Sequence, residues 1–140
     1  MLFGEFYYTI DAKGRLNFPA KLRDEMGERF ILCRGNGVRC INAYSMEAFE
    51  RLSEKLRQYP ISQAKMLRRY LFAGAAEAEP DKQGRIVVPQ TLREFAGLTK
   101  DVVITGCDDH CEIWDRAEWD ALQPQMDPAA AEKLMAEIAF

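Results

Sequence analysis

Short runs of strand-forming residues alternate with short amphipathic stretches along this chain, and the order of elements starts again halfway. Glu5-Phe6-Tyr7-Tyr8-Thr9-Ile10 is rich in aromatic and β-branched residues, Asp11-Ala12-Lys13-Gly14 is turn chemistry, and Arg15-Leu16-Asn17-Phe18 alternates polar and apolar with period two. Together they predict a hairpin. Pro19 suits the first position of a helix, and Leu22 and Met26 follow four apart before Gly27 ends it. Phe30 to Cys33 predicts a strand, Gly35-Asn36-Gly37 a hairpin turn, and Arg39 to Tyr44 the returning strand. Ser45 then caps a helix with Phe49, Leu52 and Leu56 on one stripe.

The second half replays this order with strands at Ala76 to Glu79 and Arg85 to Val88, a helix ending at Gly97, and strands at Val102 to Thr105 and Cys111 to Trp114. Asp115-Arg116-Ala117-Glu118 resembles a capping box ahead of Trp119 and Leu122. Ile61 to Leu71 predicts a linking helix, and beyond the Gln123-Pro124 and Asp127-Pro128 breaks Ala129 to Phe140 predicts a loosely held helical tail. The division expected is residues 5–47 for the first repeat, 48–75 for a helical linker, 76–119 for the second repeat and 120–140 for the tail. Each half alone is too small and too strand-rich to bury both faces of its hairpins. The halves are therefore predicted to interleave, four strands from each closing one barrel by exchanging hairpins, in a fold that is mainly β with short helices (α+β).

The repeat is literal in one segment. Asp11-Ala12-Lys13-Gly14-Arg15-Leu16-Asn17-Phe18-Pro19-Ala20-Lys21-Leu22-Arg23 returns as Asp81-Lys82-Gln83-Gly84-Arg85-Ile86-Val87-Val88-Pro89-Gln90-Thr91-Leu92-Arg93. Asp, Gly, Arg, Pro, Leu and Arg recur without a gap, where unrelated segments of average composition share about one residue. In this motif Gly14 and Gly84 supply the positive φ of a tight turn, and Asp11 and Asp81 accept hydrogen bonds from turn amides or from the Arg. With Leu16, Phe18, Ile86 and Val88 facing a core, period two sends Arg15, Asn17, Arg85 and Val87 outward. Two roles fit Arg15 and Arg85: a salt bridge to the Asp of the same turn, or a guanidinium fork on phosphate or on guanine O6 and N7. Lys13 at the same tip suits phosphate better than base. Arg23 and Arg93 rank second, since they can pair with carboxylates across the barrel or a subunit contact.

Charge sharpens this picture. Residues 1–70 hold 13 Lys+Arg against 8 Asp+Glu, a net +5, and residues 71–140 hold 6 against 14, a net −8. The split suggests a basic face from the first repeat, which is expected to make the stronger nucleic-acid contact, and an acidic face from the second that offers a surface to a protein partner. At 140 residues and 48% hydrophobic the chain suffices for one good core or two small interlocked ones. No stretch approaches the roughly 20 apolar residues of a membrane span, and Met1-Leu2-Phe3-Gly4-Glu5 lacks the basic region of a signal peptide, so no membrane partner and a cytoplasmic location are expected.

The four cysteines, Cys33, Cys40, Cys107 and Cys111, are read as small buried hydrophobes rather than a disulfide frame. Cys107-Asp108-Asp109-His110-Cys111 places two thiols and the single His within five residues. Its spacing is not that of a standard finger or ribbon, and no second pair completes it, so no metal is expected. With no Gly-rich phosphate loop and no nucleophile elbow, no catalytic residue and no cofactor are expected either; a Cys–His dyad of His110 with Cys107 or Cys111 is the one enzyme-like feature.

The duplicated motif, the join Phe72-Ala73-Gly74-Ala75-Ala76-Glu77, and Leu92-Arg93-Glu94-Phe95-Ala96-Gly97-Leu98 closely resemble the MraZ family of bacterial transcriptional regulators, over residues 1 to about 122. The resemblance implies two tandem AbrB-like swapped-hairpin repeats in a pseudo-symmetric double-ψ-type barrel, and a homo-oligomeric ring, an octamer or similar. It implies a repressor, nucleoid-associated, that binds short direct repeats of double-stranded promoter DNA upstream of its own gene in a division and cell-wall cluster. The family's DNA-contacting positions fall on Lys13 and Arg15 in the first motif and on Lys82 and Arg85 in the second. Pro80 departs from the pattern by removing a strand donor just ahead of the second motif.

Overall fold

The computed structural model describes residues 1–139. Repeat one supplies β1 (Leu2–Thr9), β2 (Arg15–Asn17), α1 (Ala20–Met26), β3 (Phe30–Arg34), β4 (Ile41–Ser45) and α2 (Met46–Arg57). Helix α3 (Ile61–Arg68) runs into a π-helical turn, Arg69–Ala73, and leads to β5 (Ala76–Ala78), β6 (Arg85–Val87), α4 (Gln90–Ala96), β7 (Asp101–Asp108), β8 (Cys111–Asp115) and α5 (Arg116–Leu122). A 3-10 turn at Gln123–Gln125 and α6 (Pro128–Glu137) follow. Helix α6 buries none of its residues, although the Asp127 carboxylate caps its first turn by accepting from Ala130 N at 3.3 Å. Phe140, the last residue of the expected tail, lies outside the described residues.

Six strands form one antiparallel sheet in the order β1-β7-β8-β4-β3-β5, and β2 pairs with β6 in a separate two-stranded ladder. Exchanging each strand for its counterpart in the other repeat reverses the six-strand order onto itself. The first strand of each repeat therefore pairs with the third strand of the other, β1 with β7 and β5 with β3, and the two fourth strands meet at the centre.

This arrangement corrects the expected first hairpin. Between β1 and β2 only an isolated bridge, Ile10 with Leu16, is formed, because β2 spends its ladder on β6. The closed barrel is corrected too. The β2–β6 ladder is three residue pairs long, and the outermost strands β1 and β5 do not pair with one another among the described residues. Side chains rather than backbone seal the open side: Leu16, Phe18 and Leu22 from repeat one and Ile86, Val88 and Leu92 from repeat two are all buried against Leu32, Ile41, Ile104 and Ile113 of the sheet.

Period two decides what covers the other face. Cys33 and Tyr44 pack there under Phe49, Leu52 and Leu56 of α2, which Ser45 caps by accepting from Ala48 N at 3.1 Å. Val103 and Trp114 pack beside them under Trp119 of α5. Asp115 precedes α5 but does not cap it; its carboxylate instead accepts from the Thr99 amide at 3.1 Å and the Thr99 hydroxyl at 2.8 Å, which anchors the α4–β7 loop. The expected capping box is thus replaced by a longer-range bond.

Candidate nucleic-acid interface

The two motif turns are built alike. Asp11 Oδ1 accepts from the Lys13 and Arg15 amides, both at 2.9 Å, while Gly14 N donates to Asp11 O at 3.0 Å with Gly14 at φ 83°. Asp81 Oδ1 likewise accepts from Gln83 and Arg85 amides at 2.9 Å, and Gly84 N donates to Asp81 O at 2.9 Å with Gly84 at φ 79°. The amide of the motif Arg, first, and its side chain after it hold the Asp11 carboxyl below the ordinary aspartate value, and the Arg85 amide does the same for Asp81.

Each turn then aims its arginine. Arg15 Nε donates to Asp11 Oδ2 at 2.6 Å and Arg85 Nε to Asp81 Oδ2 at 3.1 Å, with the side chains 43% and 36% exposed. Water screens an exposed pair of this kind and leaves it little weight in stability, so its main effect is orientation. Among the described residues the Nη atoms of both guanidinium groups have no hydrogen-bond partner.

The β2–β6 ladder brings the two motifs side by side. Leu16 faces Ile86 with both fully buried, while Arg15 stands opposite Val87 and Asn17 opposite Arg85 on the outward face. Arg15 and Arg85 are thus diagonal neighbours, about 7–8 Å apart in such a ladder. Arg15, Asn17, Arg85, Thr9, Asp11 and Lys100 line one hollow of about 310 Å³. Lys13 and Lys82 are exposed on the two turns but do not line it. Lys100 is not legible in the sequence: it has no counterpart in the first motif, and it arrives only because Ile10 N donates to its carbonyl at 2.9 Å.

The second arginine of each motif crosses to the other repeat. Arg23 Nε donates to Phe18 O at 2.8 Å and its guanidinium lies over Gly84, while Arg93 lies over Gly14 and its Nη1 donates to Ala12 O at 3.2 Å. Phe18 N to Gly84 O (2.9 Å) and Val88 N to Gly14 O (2.8 Å) complete the exchange. Arg23 therefore bonds a carbonyl of its own repeat and Arg93 one of the opposite turn, and the carboxylate pairing open to them is not formed among the described residues. Three other basic residues are also engaged: Arg29 pairs with Glu77 at 3.0 Å, Arg34 stacks on Tyr70 and Phe95, and Arg39 stacks on Phe95.

Because the ladder takes one strand from each half, the charge split along the sequence does not separate into two faces at the motifs. Of the two thiols weighed as partners of His110, Cys111 is turned away from it and Cys107 stays beside it. The Cys111 side chain enters the main core, where burial pushes its thiol up to about 12, and burial likewise raises Cys107, the opposite of an activated nucleophile.

The family model described as "MraZ protein, putative antitoxin-like" matches the chain twice, over residues 1–68 and 71–137. A protein of Acetivibrio thermocellus named "Transcriptional regulator MraZ" is 47% identical over 123 residues, covering 86% of this chain and 85% of that protein. One of the same name from Heliobacterium modesticaldum is 45% identical over 140 residues, covering 96% and 97%. A third, from Caldicellulosiruptor bescii, is 46% identical over 121 residues, covering 85% and 84%.

Proposed function

We propose that this chain, which belongs to the MraZ family, is a sequence-specific DNA-binding transcriptional regulator that reads DNA through the β2–β6 ladder. The observation that carries this is the pair of oriented guanidinium forks, Arg15 and Arg85, presented diagonally on one exposed two-stranded ribbon. A B-DNA major groove about 12 Å wide admits a two-stranded ribbon, and a guanidinium fork matches guanine O6 and N7. Asn17 offers amide donors and acceptors to a base edge, and Val87, 58% exposed, offers an apolar contact of the kind that meets a thymine methyl. Lys13 and Lys82 at the turns serve phosphates, which set register and affinity without carrying sequence information.

The two halves, residues 5–47 and 76–119, are AbrB-like swapped-hairpin units, a reading supported by the strand order that maps onto itself. The protein assembles into a homo-oligomeric ring, which sets several ladders at intervals. Direct repeats in the promoter of its own division and cell-wall cluster are then engaged together, and weak single contacts multiply through effective concentration. Its action there is repression, in the cytoplasm at the nucleoid. No helix of the described residues is long and apolar enough to cross a membrane.

Fluorescence anisotropy on DNA upstream of its own gene, against scrambled DNA across a salt series, tests this. The expected result is tight, sequence-dependent binding with a steep negative salt slope. Arg15→Ala and Arg85→Ala should each weaken it by about 1–3 kcal/mol, the usual worth of one guanidinium–guanine pair, with circular dichroism unchanged. Equal weak binding to both DNAs, or full affinity in both variants, overturns the reading.

A further inference from the structure

The turn between β7 and β8 gathers a second constellation at the other end of the sheet. Cys107 N donates to His110 O at 2.8 Å across a tight turn with Asp108 at φ 69°, so Cys107 and His110 stand opposite one another. Period two then places Thr105 and Cys107 of β7 and His110 and Glu112 around β8 on one face, away from the core that takes Ile104, Cys111 and Ile113. One ligating atom from each of Cys107, His110 and Glu112 lies within 4.8 Å of the others.

The imidazole is held from several sides. His110 Nδ1 is 2.8 Å from Asp109 Oδ1, its Nε2 is 3.4 Å from Glu112 Oε2, and the Tyr44 ring stacks on it at 5.4 Å. Trp114 Nε1 donates to the other Glu112 oxygen at 3.0 Å, which fixes that carboxylate. The His110 and Glu112 side chains are 20% and 21% exposed, so the group is sheltered but reachable. A neighbouring hollow of about 260 Å³, lined by Asn36, Tyr44, Arg51, Lys55, Asp109 and His110, gives a path to solvent.

We propose that Cys107 Sγ, His110 Nε2 and a Glu112 carboxylate oxygen bind a divalent cation of the zinc class, with Asp109 orienting the imidazole through Nδ1. Tetrahedral bonds of about 2.0–2.3 Å set ligand atoms roughly 3.3–3.8 Å apart, so small side-chain rotations bring the three into range. A thiolate and an imidazole select zinc over magnesium or calcium. A carboxylate on the far nitrogen of a ligating histidine is the usual support, as it fixes the tautomer and raises basicity. Water completes the fourth position. Binding displaces the thiol proton and any proton on Nε2, so it strengthens as pH rises. Six residue steps along β7 lead from Asp101, next to the DNA hollow, to Cys107, which is about 20 Å of strand. The ion would therefore clamp the β7–β8 end without touching the ladder.

Titration of the reduced full-length protein with Zn²⁺ against a chromophoric chelator, and with Co²⁺ followed by absorption, tests the site. One ion per chain is expected, with a thiolate-to-cobalt charge-transfer band that Cys107→Ser abolishes. His110→Gln should weaken Zn²⁺ binding at least about tenfold and Asp109→Asn by about 10–100-fold, while Arg15→Ala leaves it unchanged. Absence of stoichiometric Zn²⁺ binding, or of the thiolate band in the wild-type protein, overturns the proposal even if a variant fails to fold. So does binding that survives intact in both Cys107→Ser and His110→Gln.

Discussion

The two copies of the motif share every hydrogen bond inside the turn and differ in what presses on it. A Cβ on Gly14 would meet the Val88 carbonyl oxygen at 2.5 Å, whereas one on Gly84 would meet the Arg23 guanidinium at 2.8 Å. Backbone cannot yield there, but the end of a long side chain can. Arg23 Nε reaches Phe18 O, while Arg93 Nε is buried with no hydrogen-bond partner among the described residues. Outward positions differ as well: Lys13 and Asn17 in the first copy stand where Gln83 and Val87 stand in the second. The first strand is eight residues long in repeat one and three in repeat two, where β5 stops at Ala78, just short of Pro80. An identical local turn can thus sit in two different settings, and the settings decide how each copy tolerates change and what it offers to DNA.

The largest effect should come where the copies are most alike. Leu16 and Ile86 are both fully buried and face each other across the ladder, so Leu16→Ala and Ile86→Ala should each cost about 2–5 kcal/mol in urea unfolding. A large inequality between them would break the symmetry of the shared core. A smaller and deliberately unequal pair comes from the glycines. Both have positive φ, which costs an alanine about 1–2 kcal/mol, but only Gly14→Ala also drives a methyl into a carbonyl. Thermal melts should show Gly14→Ala as the worse of the two, and the reverse ranking would refute the packing difference.

The smallest effect is electrostatic. Both Asp11 and Asp81 have folded values below the ordinary 3.8 of an aspartate. A lowered folded value means stability that is present above the unfolded value and lost as pH falls through the folded one. Carboxyl NMR should therefore show both residues titrating below 3.8. Asp11→Asn and Asp81→Asn should each remove part of the acid-induced loss of stability; a carboxyl titrating at or above the ordinary value would show its turn to be loose in solution.

Much of the fold is visible as local pattern. The helix opened by Pro19, the Phe30-to-Tyr44 hairpin and the Ser45 cap all lie where their own residues place them. The first hairpin does not form because Glu5 to Phe18 carries the pattern of two strands and a turn, and pattern does not name the partner. Asp115 leaves its helix for a similar reason: a capping sequence is present, but Thr99 offers its carboxylate two donors. At the DNA face, Arg15 and Arg85 are legible from the repeat, whereas Lys100 and the diagonal approach of the two arginines are not. Nothing in the sequence singles out Glu112 beside Cys107 and His110, since the cysteine that looks like the nearer partner, Cys111, points into the core.

By itself the sequence determined the family, the duplication and the two Asp–Gly–Arg turns, because every bond that makes those turns joins residues within four positions of one another. Only the tertiary structure decided that β1 pairs with β7, that Arg23 and Arg93 clasp the opposite turns, and that Cys107, His110 and Glu112 converge. Those choices follow from burial: neither half can cover its own apolar face, so each strand finds the partner that hides it, and side chains far apart in the chain meet where that search ends.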